Sequence, residues 1–180
     1  MTLAQAMQVA DEFIKGLESL PEVKKISCAG SLRRQKETVR DIDILVISNK
    51  PQKIMDVFTR LPSVGLVLAK GETKSSVRTK DDVQVDCRVE EEKSFGAALL
   101  YFTGSKNFNI KLRQLAIKRG LKINEYGVFK KDRLVCGRTE EEIFKILGMS
   151  YIEPELRDDT GEIELAKEFQ LPHLIELKDL

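Results

Sequence analysis

The sequence predicts an α/β protein (α+β, with a mixed sheet) in which a small α+β domain follows a larger sheet domain. Apolar residues recur at helical spacing over 2–20 and 105–119, whereas 83–89 alternates strictly between apolar and polar residues. Short strand patterns at 121–129 and 133–136 follow the second of these helices. An apolar content of 42% and a charged content of 33% are typical of a soluble globular protein. No apolar run approaches the ~18 residues of a membrane span, which predicts no membrane partner.

The first half of the chain predicts alternating helices and strands. A helix over 2–20 has Thr2 as its cap and ends at Pro21. A strand at 23–29 leads into the Gly30-Ser31 turn and a short helix. The strand at 41–48 has both faces apolar beyond Asp43, which is typical of a central strand. A helix is expected over 51–61.

The second half predicts a hairpin, two helices and a small sheet. Strands are expected at 64–69 and 75–79, and the alternation at 83–89 favours an antiparallel strand with one packed face. Two helices, 94–103 and 105–119, meet at Gly104. Further helices are expected at 139–147 and 160–169, separated by an irregular segment at 150–159.

The charges divide unevenly along the chain. Residues 1–138 contain 26 Lys and Arg and 17 Asp and Glu, a net charge of +9, whereas residues 139–180 contain 4 and 12, a net charge of −8. A basic body can attract polyanions, although composition alone leaves ordinary solvated charge as an alternative. The three cysteines are widely spaced and are matched by one histidine, so they predict neither a zinc motif nor a disulfide framework, and they favour a reducing cytoplasm.

A phosphate site is predicted at Gly30-Ser31. A Gly-Ser turn that enters a helix presents unpaired backbone N–H groups and the positive helix end. Arg33 and Arg34 add guanidinium groups, whose geometry suits phosphate.

A carboxylate cluster is predicted beside that turn. Asp41 and Asp43 share one strand face, and Asp86 joins them if the strand at 83–89 pairs with the strand at 41–48. Oxygen ligands without His or Cys favour Mg²⁺ or Mn²⁺. The alternative for these residues is an ordinary set of surface aspartates at sheet edges.

Together these motifs resemble the nucleotidyltransferase signature of the family X DNA polymerases, the group that includes DNA polymerase beta. The resemblance runs in family order from about residue 23 to 129. It is carried by Gly30-Ser31-Leu32-Arg33-Arg34, Asp41-Ile42-Asp43, Val85-Asp86-Cys87-Arg88, Tyr101-Phe102-Thr103-Gly104-Ser105, Phe108-Asn109 with Arg113, and Asn124-Glu125-Tyr126.

The resemblance implies a role for each matched residue. The catalytic metal ligands would be Asp41, Asp43 and Asp86, with two Mg²⁺ ions for which Mn²⁺ can substitute. Nucleotide-binding residues would be Gly30, Ser31, Arg33, Arg34, Tyr101, Phe102, Gly104 and Asn109. Residues that contact DNA or couple thumb closure to the metal site would be Lys106, Arg113, Arg88 and Glu125.

Plainer alternatives remain open for several of these residues. Tyr101 and Phe102 could be core residues, Arg113 a solvated helix charge, and Arg88 an ion-pair partner of an aspartate.

The resemblance also implies domains and a function. It predicts a palm over 1–93, a thumb over 94–150, and an acidic tail over 151–180 that leads to an absent C-terminal domain. The lyase-like and fingers domains of family members have no counterpart, so a minimal palm–thumb form is expected. The expected activity is a monomeric repair-type DNA polymerase that adds a dNMP from a dNTP to the primer 3′-hydroxyl of primer-template or gapped DNA, in the cytoplasm at the nucleoid. The alternatives are a non-templated or RNA or small-molecule nucleotidyltransferase, and a DNA-binding fragment that is inactive without its missing domains.

Overall fold

The computed structural model describes residues 1–174 and contains a five-stranded and a three-stranded sheet with helices packed on both. The helices are α1 Leu3–Glu18, α2 Gly30–Arg33, α3 Pro51–Phe58, α4 Phe95–Thr103, α5 Lys106–Lys118, α6 Glu140–Ile146 and α7 Glu162–Lys167. The strands are β1 Lys25–Cys28, β2 Asp41–Ile47, β3 Val64–Lys70, β4 Lys74–Thr79, β5 Gln84–Glu90, β6 Lys122–Asn124, β7 Gly127–Lys130 and β8 Arg133–Cys136. Short 3₁₀ turns occupy Glu92–Ser94 and Pro154–Leu156.

Helix α1 forms where the sequence predicts it because both its cap and its apolar spacing are local signals. The Thr2 hydroxyl accepts a hydrogen bond from the backbone N–H of Gln5, and the side-chain oxygen of Gln5 accepts one from the backbone N–H of Thr2. Phe13 and Leu17 lie on the buried face and have no solvent exposure. The helix therefore covers the first sheet with a single apolar stripe.

The larger sheet has the strand order β1-β2-β5-β4-β3, so β2 has a partner on each side. The prediction of an antiparallel setting for the strand at 83–89 is correct for its pairing with β4 and wrong for its pairing with β2, which is parallel. The reason is topological. After β2, helix α3 carries the chain across the sheet, and the β3–β4 hairpin then reverses it, so β5 enters in the direction of β2.

The first core lies between this sheet and helices α1 and α3. Ile42, Ile44 and Val46 of β2 face it, as the alternation predicts, together with Val85 and Cys87 of β5. The opposite face therefore carries Asp41 and Asp43 of β2, which are followed by buried apolar residues, and the polar side chains of β5 that include Asp86. Helix α3 ends at Phe58, three residues before its predicted end.

A second core joins α4, α5 and α6 to the small sheet β6-β7-β8. Ile152, Ile163 and Ala166 are buried in the same core, a packing that the charge division along the chain does not reveal. Residues 152–166 therefore pack as part of this second body, and the described part of the acidic segment contributes apolar side chains to it.

Charged side chains buried between the two bodies connect them. Arg157 has no solvent exposure and Glu140 is 4% exposed. The guanidinium of Arg157 donates to Glu140 Oε1 at 2.6 Å, and Arg33 of α2 donates to the same carboxylate at 2.8 and 2.7 Å. This Arg33–Glu140–Arg157 triad links α2, which packs on the large sheet, to α6 and the segment after it.

Within residues 1–174, no helix combines the length and apolar character needed to cross a bilayer.

Candidate active site

A cavity of about 730 Å³ opens between the polar end of β2 and the helices α4 and α5. Its size fits a drug-sized or nucleotide-sized ligand. Twelve of its lining residues belong to motifs identified from the sequence. The full lining is Gly30, Ser31, Arg34, Lys36, Thr38, Arg40, Asp41, Asp43, Tyr101, Phe102, Thr103, Gly104, Ser105, Lys106, Asn109 and Arg113.

The Gly30-Ser31 turn packs directly against the carboxylate pair. Gly30 has a φ of +62°, and a Cβ placed on it would collide with Oδ2 of Asp43. Glycine is required here both for the left-handed backbone and for this close approach. The N–H of Ala29 also donates to the Asp43 carbonyl oxygen at 2.9 Å, which fixes the turn beside β2.

The aspartates on the two parallel strands lie in matching register. Asp43 pairs with Asp86, and Asp41 pairs with Gln84. Directly paired residues of neighbouring strands point to the same sheet face, so all three aspartates share it. The pKa of Asp43 is raised to about 6, mainly by burial and also by the charges of Asp41 and Asp86. The Gln84 side chain donates to the Asp86 carboxylate at 3.2 Å.

The chemistry of this cluster fits a divalent cation, although the cluster is not preformed. Among residues 1–174, no three His, Cys, Asp or Glu side chains converge closely enough to hold a metal ion. Mutual repulsion of like charges favours such separation. Burial is the largest cause of the raised pKa of Asp43, and the charges of Asp41 and Asp86 add to it. Carboxylate oxygens without nitrogen or sulfur donors are the ligands that Mg²⁺ and Mn²⁺ prefer.

The two neighbouring arginines of the turn have different partners. Arg34 lines the cavity, and its Nη1 donates to the carbonyl oxygen of Thr103. Arg33 does not line the cavity, because its guanidinium is bound by Glu140 and by the Thr103 hydroxyl at 2.8 Å. Arg34 is thus placed to contact a ligand, and Arg33 connects α2 to α6.

The opposite wall comes from α4, Gly104 and α5. Tyr101 and Phe102 pack edge to face with their ring centres 5.1 Å apart. The side-chain amide of Asn109 donates to the carbonyl oxygen of Tyr101 at 2.7 Å, which fixes it on this wall. Lys106 and Arg113 line the cavity beside Asn109, as their spacing of three and four residues predicts.

Of the residues predicted for this site, Asp86, Arg88 and Glu125 also lie outside the cavity lining, as Arg33 does. The guanidinium carbon of Arg88 lies 4.3 Å from the centre of the Phe102 ring, so it stacks behind the wall. Glu125 is near Glu90, whose pKa burial raises to about 7, with Glu125 and Glu91 adding to the effect. No ion pair joins Arg88 to Glu125 within the part of the chain that the structure describes.

Sequence reasoning missed several polar residues of the lining. Lys36, Thr38 and Arg40 fall between the two motifs. The charges of Lys36 and Arg40 were their only signal in the sequence, and Thr38 had none. Asp158 lies more than 120 positions from its partner Lys36, and no local pattern marks that pairing. The cavity therefore carries more positive charge than the motifs alone indicate.

Comparison with known proteins gives consistent matches. The family model described as DNA polymerase beta thumb matches residues 98–158. The "DNA polymerase/3'-5' exonuclease PolX" of Bacillus subtilis is 36% identical over 166 residues, which are 90% of this chain and 29% of that protein. The chain therefore spans less than a third of the Bacillus relative.

A viral relative is covered over most of its length. The "Repair DNA polymerase X" of African swine fever virus is 33% identical over 144 residues, 74% of this chain and 82% of that protein. A solved structure of Leishmania infantum polymerase beta, described as a ternary P/T complex, matches with a TM-score of 0.76 and 26% identity. The match covers 88% of this chain and 76% of that chain. The chain belongs to the family X DNA polymerases.

Proposed function

We propose that this chain is a repair-type, DNA-directed DNA polymerase that acts as a minimal palm and thumb. The observation that carries the proposal is the meeting of three groups at one cavity. The Gly30-Ser31 turn with Arg34 suits a triphosphate, and Asp41 and Asp43 suit divalent cations. The wall with Asn109 and Arg113 suits a base pair and its template. The names of the Bacillus and viral relatives support the same activity.

The proposed reaction is attack of a primer 3′-hydroxyl on the α-phosphorus of a dNTP. A new P–O bond forms, the bond to the bridging oxygen breaks, and pyrophosphate leaves with the bond electrons. The hydroxyl proton leaves to solvent or to the Asp86 carboxylate. The chain contributes alignment and charge placement, which are the main protein contributions to phosphoryl transfer.

The cations proposed for this site are two Mg²⁺ ions, for which Mn²⁺ can substitute. Asp41, Asp43 and Asp86 would hold them. When bound, they would neutralise the carboxylates and the phosphates and make the 3′-hydroxyl more acidic. Without the cations, the negative charges of the aspartates oppose binding of an anionic nucleotide beside them.

The remaining lining residues have proposed roles that follow from their positions. Ser31 and Arg34 would bind the triphosphate, while Tyr101, Phe102 and Gly104 would contact the sugar. Lys106 and Arg113 would contact DNA, and Arg88 and Glu125 would couple thumb closure to the metal site. The domains proposed are a palm over 1–93, a thumb over 94–150 and an acidic segment over 151–180.

Primer extension with and without a template tests this proposal. We expect template-directed addition of dNTPs in Mg²⁺, with NTPs used poorly. Equal extension without a template, or a preference for NTPs, would favour a different nucleotidyltransferase. A gel shift with DNA but no extension in Mg²⁺ or Mn²⁺ would favour a binding fragment that lacks activity.

A further inference from the structure

The segment 153–158 lies along the residues that follow the Gly30-Ser31 turn and contacts Arg34, Gln35 and Lys36 directly. Arg33 is linked to the segment through Glu140, because its guanidinium and that of Arg157 both donate to the Glu140 carboxylate. The Gln35 side chain donates to Glu155 at 2.7 Å. Arg34 and Lys36 both pair with Asp158. One carboxylate thus bridges two cations that line the cavity.

Asp158 acts from outside the cavity. Arg34 and Lys36 line the cavity, whereas Asp158 does not. Oδ1 of Asp158 lies 3.6 Å from Nε of Arg34, and its other oxygen pairs with Nζ of Lys36. A carboxylate that occupied the phosphate position would line the cavity together with its partners. The placement therefore fits support of the two cations and not competition with a ligand.

Two contacts hold the Arg34 guanidinium from different sides. Its Nη1 donates to the Thr103 carbonyl oxygen. Its Nε is buried and has no hydrogen-bond partner among the described residues, and Oδ1 of Asp158 lies at ion-pair distance from it. The Arg34 side chain is only 15% exposed. Since Nη1 is bonded to Thr103 and Asp158 is the ion-pair partner on the Nε side, the orientation of the guanidinium is restricted and Nη2 is left for a ligand.

The backbone around Asp158 is itself anchored. Arg157, the preceding residue, is fully buried and donates through Nε to the Ile152 carbonyl oxygen at 2.9 Å. The Arg157 carbonyl oxygen accepts from the N–H of Ser105 at 3.0 Å, and Ser105 lines the cavity. The N–H of Asp158 donates to the Leu156 carbonyl oxygen at 2.9 Å. Asp158 therefore presents its carboxylate from a fixed position.

We propose that Asp158 is a positioning residue that orients Arg34 and Lys36 towards the triphosphate of the incoming nucleotide. This inference rests on the proposed function, and it adds Lys36 to the groups that meet the phosphates. Holding the two long side chains in place before binding reduces the entropy lost when the nucleotide binds. Loss of the carboxylate frees both side chains and weakens nucleotide binding, even though it removes a negative charge near an anionic ligand.

The test measures dATP binding directly and then separates binding from turnover. Calorimetric titration of dATP with Mg²⁺ into the protein without DNA gives the Kd, and template-directed extension gives KM and kcat. For Asp158→Asn we expect the Kd and KM for dATP to rise about threefold to tenfold and kcat to change less than about twofold. Asp158→Glu keeps the charge and should restore part of the affinity, and Lys36→Met should raise the Kd as well.

Glu155→Gln is the matched control, because it makes the same carboxylate-to-amide change in the same segment at a residue that does not line the cavity. We expect it to bind dATP like the wild type. Asp158→Asn that binds dATP as tightly as the wild type, or more tightly, would overturn the inference, and tighter binding would indicate that Asp158 opposes the nucleotide. Wild-type protein that binds no dATP would overturn it too. Wild-type protein that binds dATP but extends no primer would refute the proposed function while the Kd comparison still decides this inference.

Discussion

Replacing Glu140 with glutamine removes the carboxylate that lies between Arg33 and Arg157. Burial alone would raise the pKa of Glu140, but the hydrogen bonds and charges of the two arginines outweigh it and lower the pKa to about 2. A fall from the ordinary value of 4.5 corresponds to about 3 kcal/mol of stabilisation of the native state at neutral pH. That figure agrees with the roughly 3–5 kcal/mol lost when one partner of a buried ion pair is removed.

The stabilisation has a defined pH window. The native pKa is lower than the unfolded pKa, so the contribution is complete above about pH 5 and is lost as the pH falls towards about 2. Glu140→Gln should therefore lower the free energy of unfolding by about 3 kcal/mol at pH 7 and by about 1.4 kcal/mol at pH 3.

Urea unfolding followed by far-ultraviolet circular dichroism measures this difference, since the chain has no Trp. Glu141→Gln is the control, because Glu141 lies in the same first turn of α6 but is exposed, and it should cost less than about 0.5 kcal/mol. A Glu140→Gln variant as stable as the wild type at pH 7, or a loss that stays constant down to pH 3, would refute the reasoning.

Three further predictions concern the active site and its surroundings. Gly30→Ala should lower kcat for primer extension at least about tenfold, because its Cβ collides with the carboxylate behind it. Gly120→Ala shares the positive φ but has open space around its Cβ, so it should lose stability without that loss of kcat, and equal loss in both would count against the steric argument. Arg113→Ala should weaken DNA binding and reduce its salt dependence. Lys111→Ala should change both properties less, because Lys111 is already paired with two carboxylates. Filter binding at several salt concentrations distinguishes the two variants. The native pKa of Glu90 is raised to about 7, so the wild type loses stability as the pH rises from about 5 through 7. Glu90→Gln should therefore gain stability relative to the wild type over that window. Unchanged relative stability across pH 5–8 would contradict this.

Local signals in the sequence predicted much of the fold and of the site. The cap at Thr2, the alternation through Asp86 and the shared stripe of Asn109 and Arg113 are each contained in a short window, and the structure places them accordingly. Such patterns indicate which face of a helix or strand is buried, and residues that share the other face can then be expected to line the same cavity.

The remaining features depend on residues that are far apart in the sequence. The parallel pairing of β2 with β5 follows from the path of the chain between them, which the residues of β5 do not encode locally. Arg33 and Glu140 lie 107 positions apart, so nothing near Arg33 indicates that its guanidinium is bound by α6. The sequence assigns Asp158 to an acidic tail, yet the buried Arg157 beside it fixes that segment against the turn.

The most direct test of the carboxylate site is single-nucleotide insertion into gapped DNA with Mg²⁺ by the wild type, Asp86→Ala and Asp81→Ala. Asp81 is an exposed residue of the turn before β5, so its replacement controls for loss of a nearby negative charge. We expect Asp86→Ala to lose at least about 10³-fold in kcat and Asp81→Ala to remain near the wild type. Equal product from Asp86→Ala and the wild type would contradict a site in which the three aspartates act together.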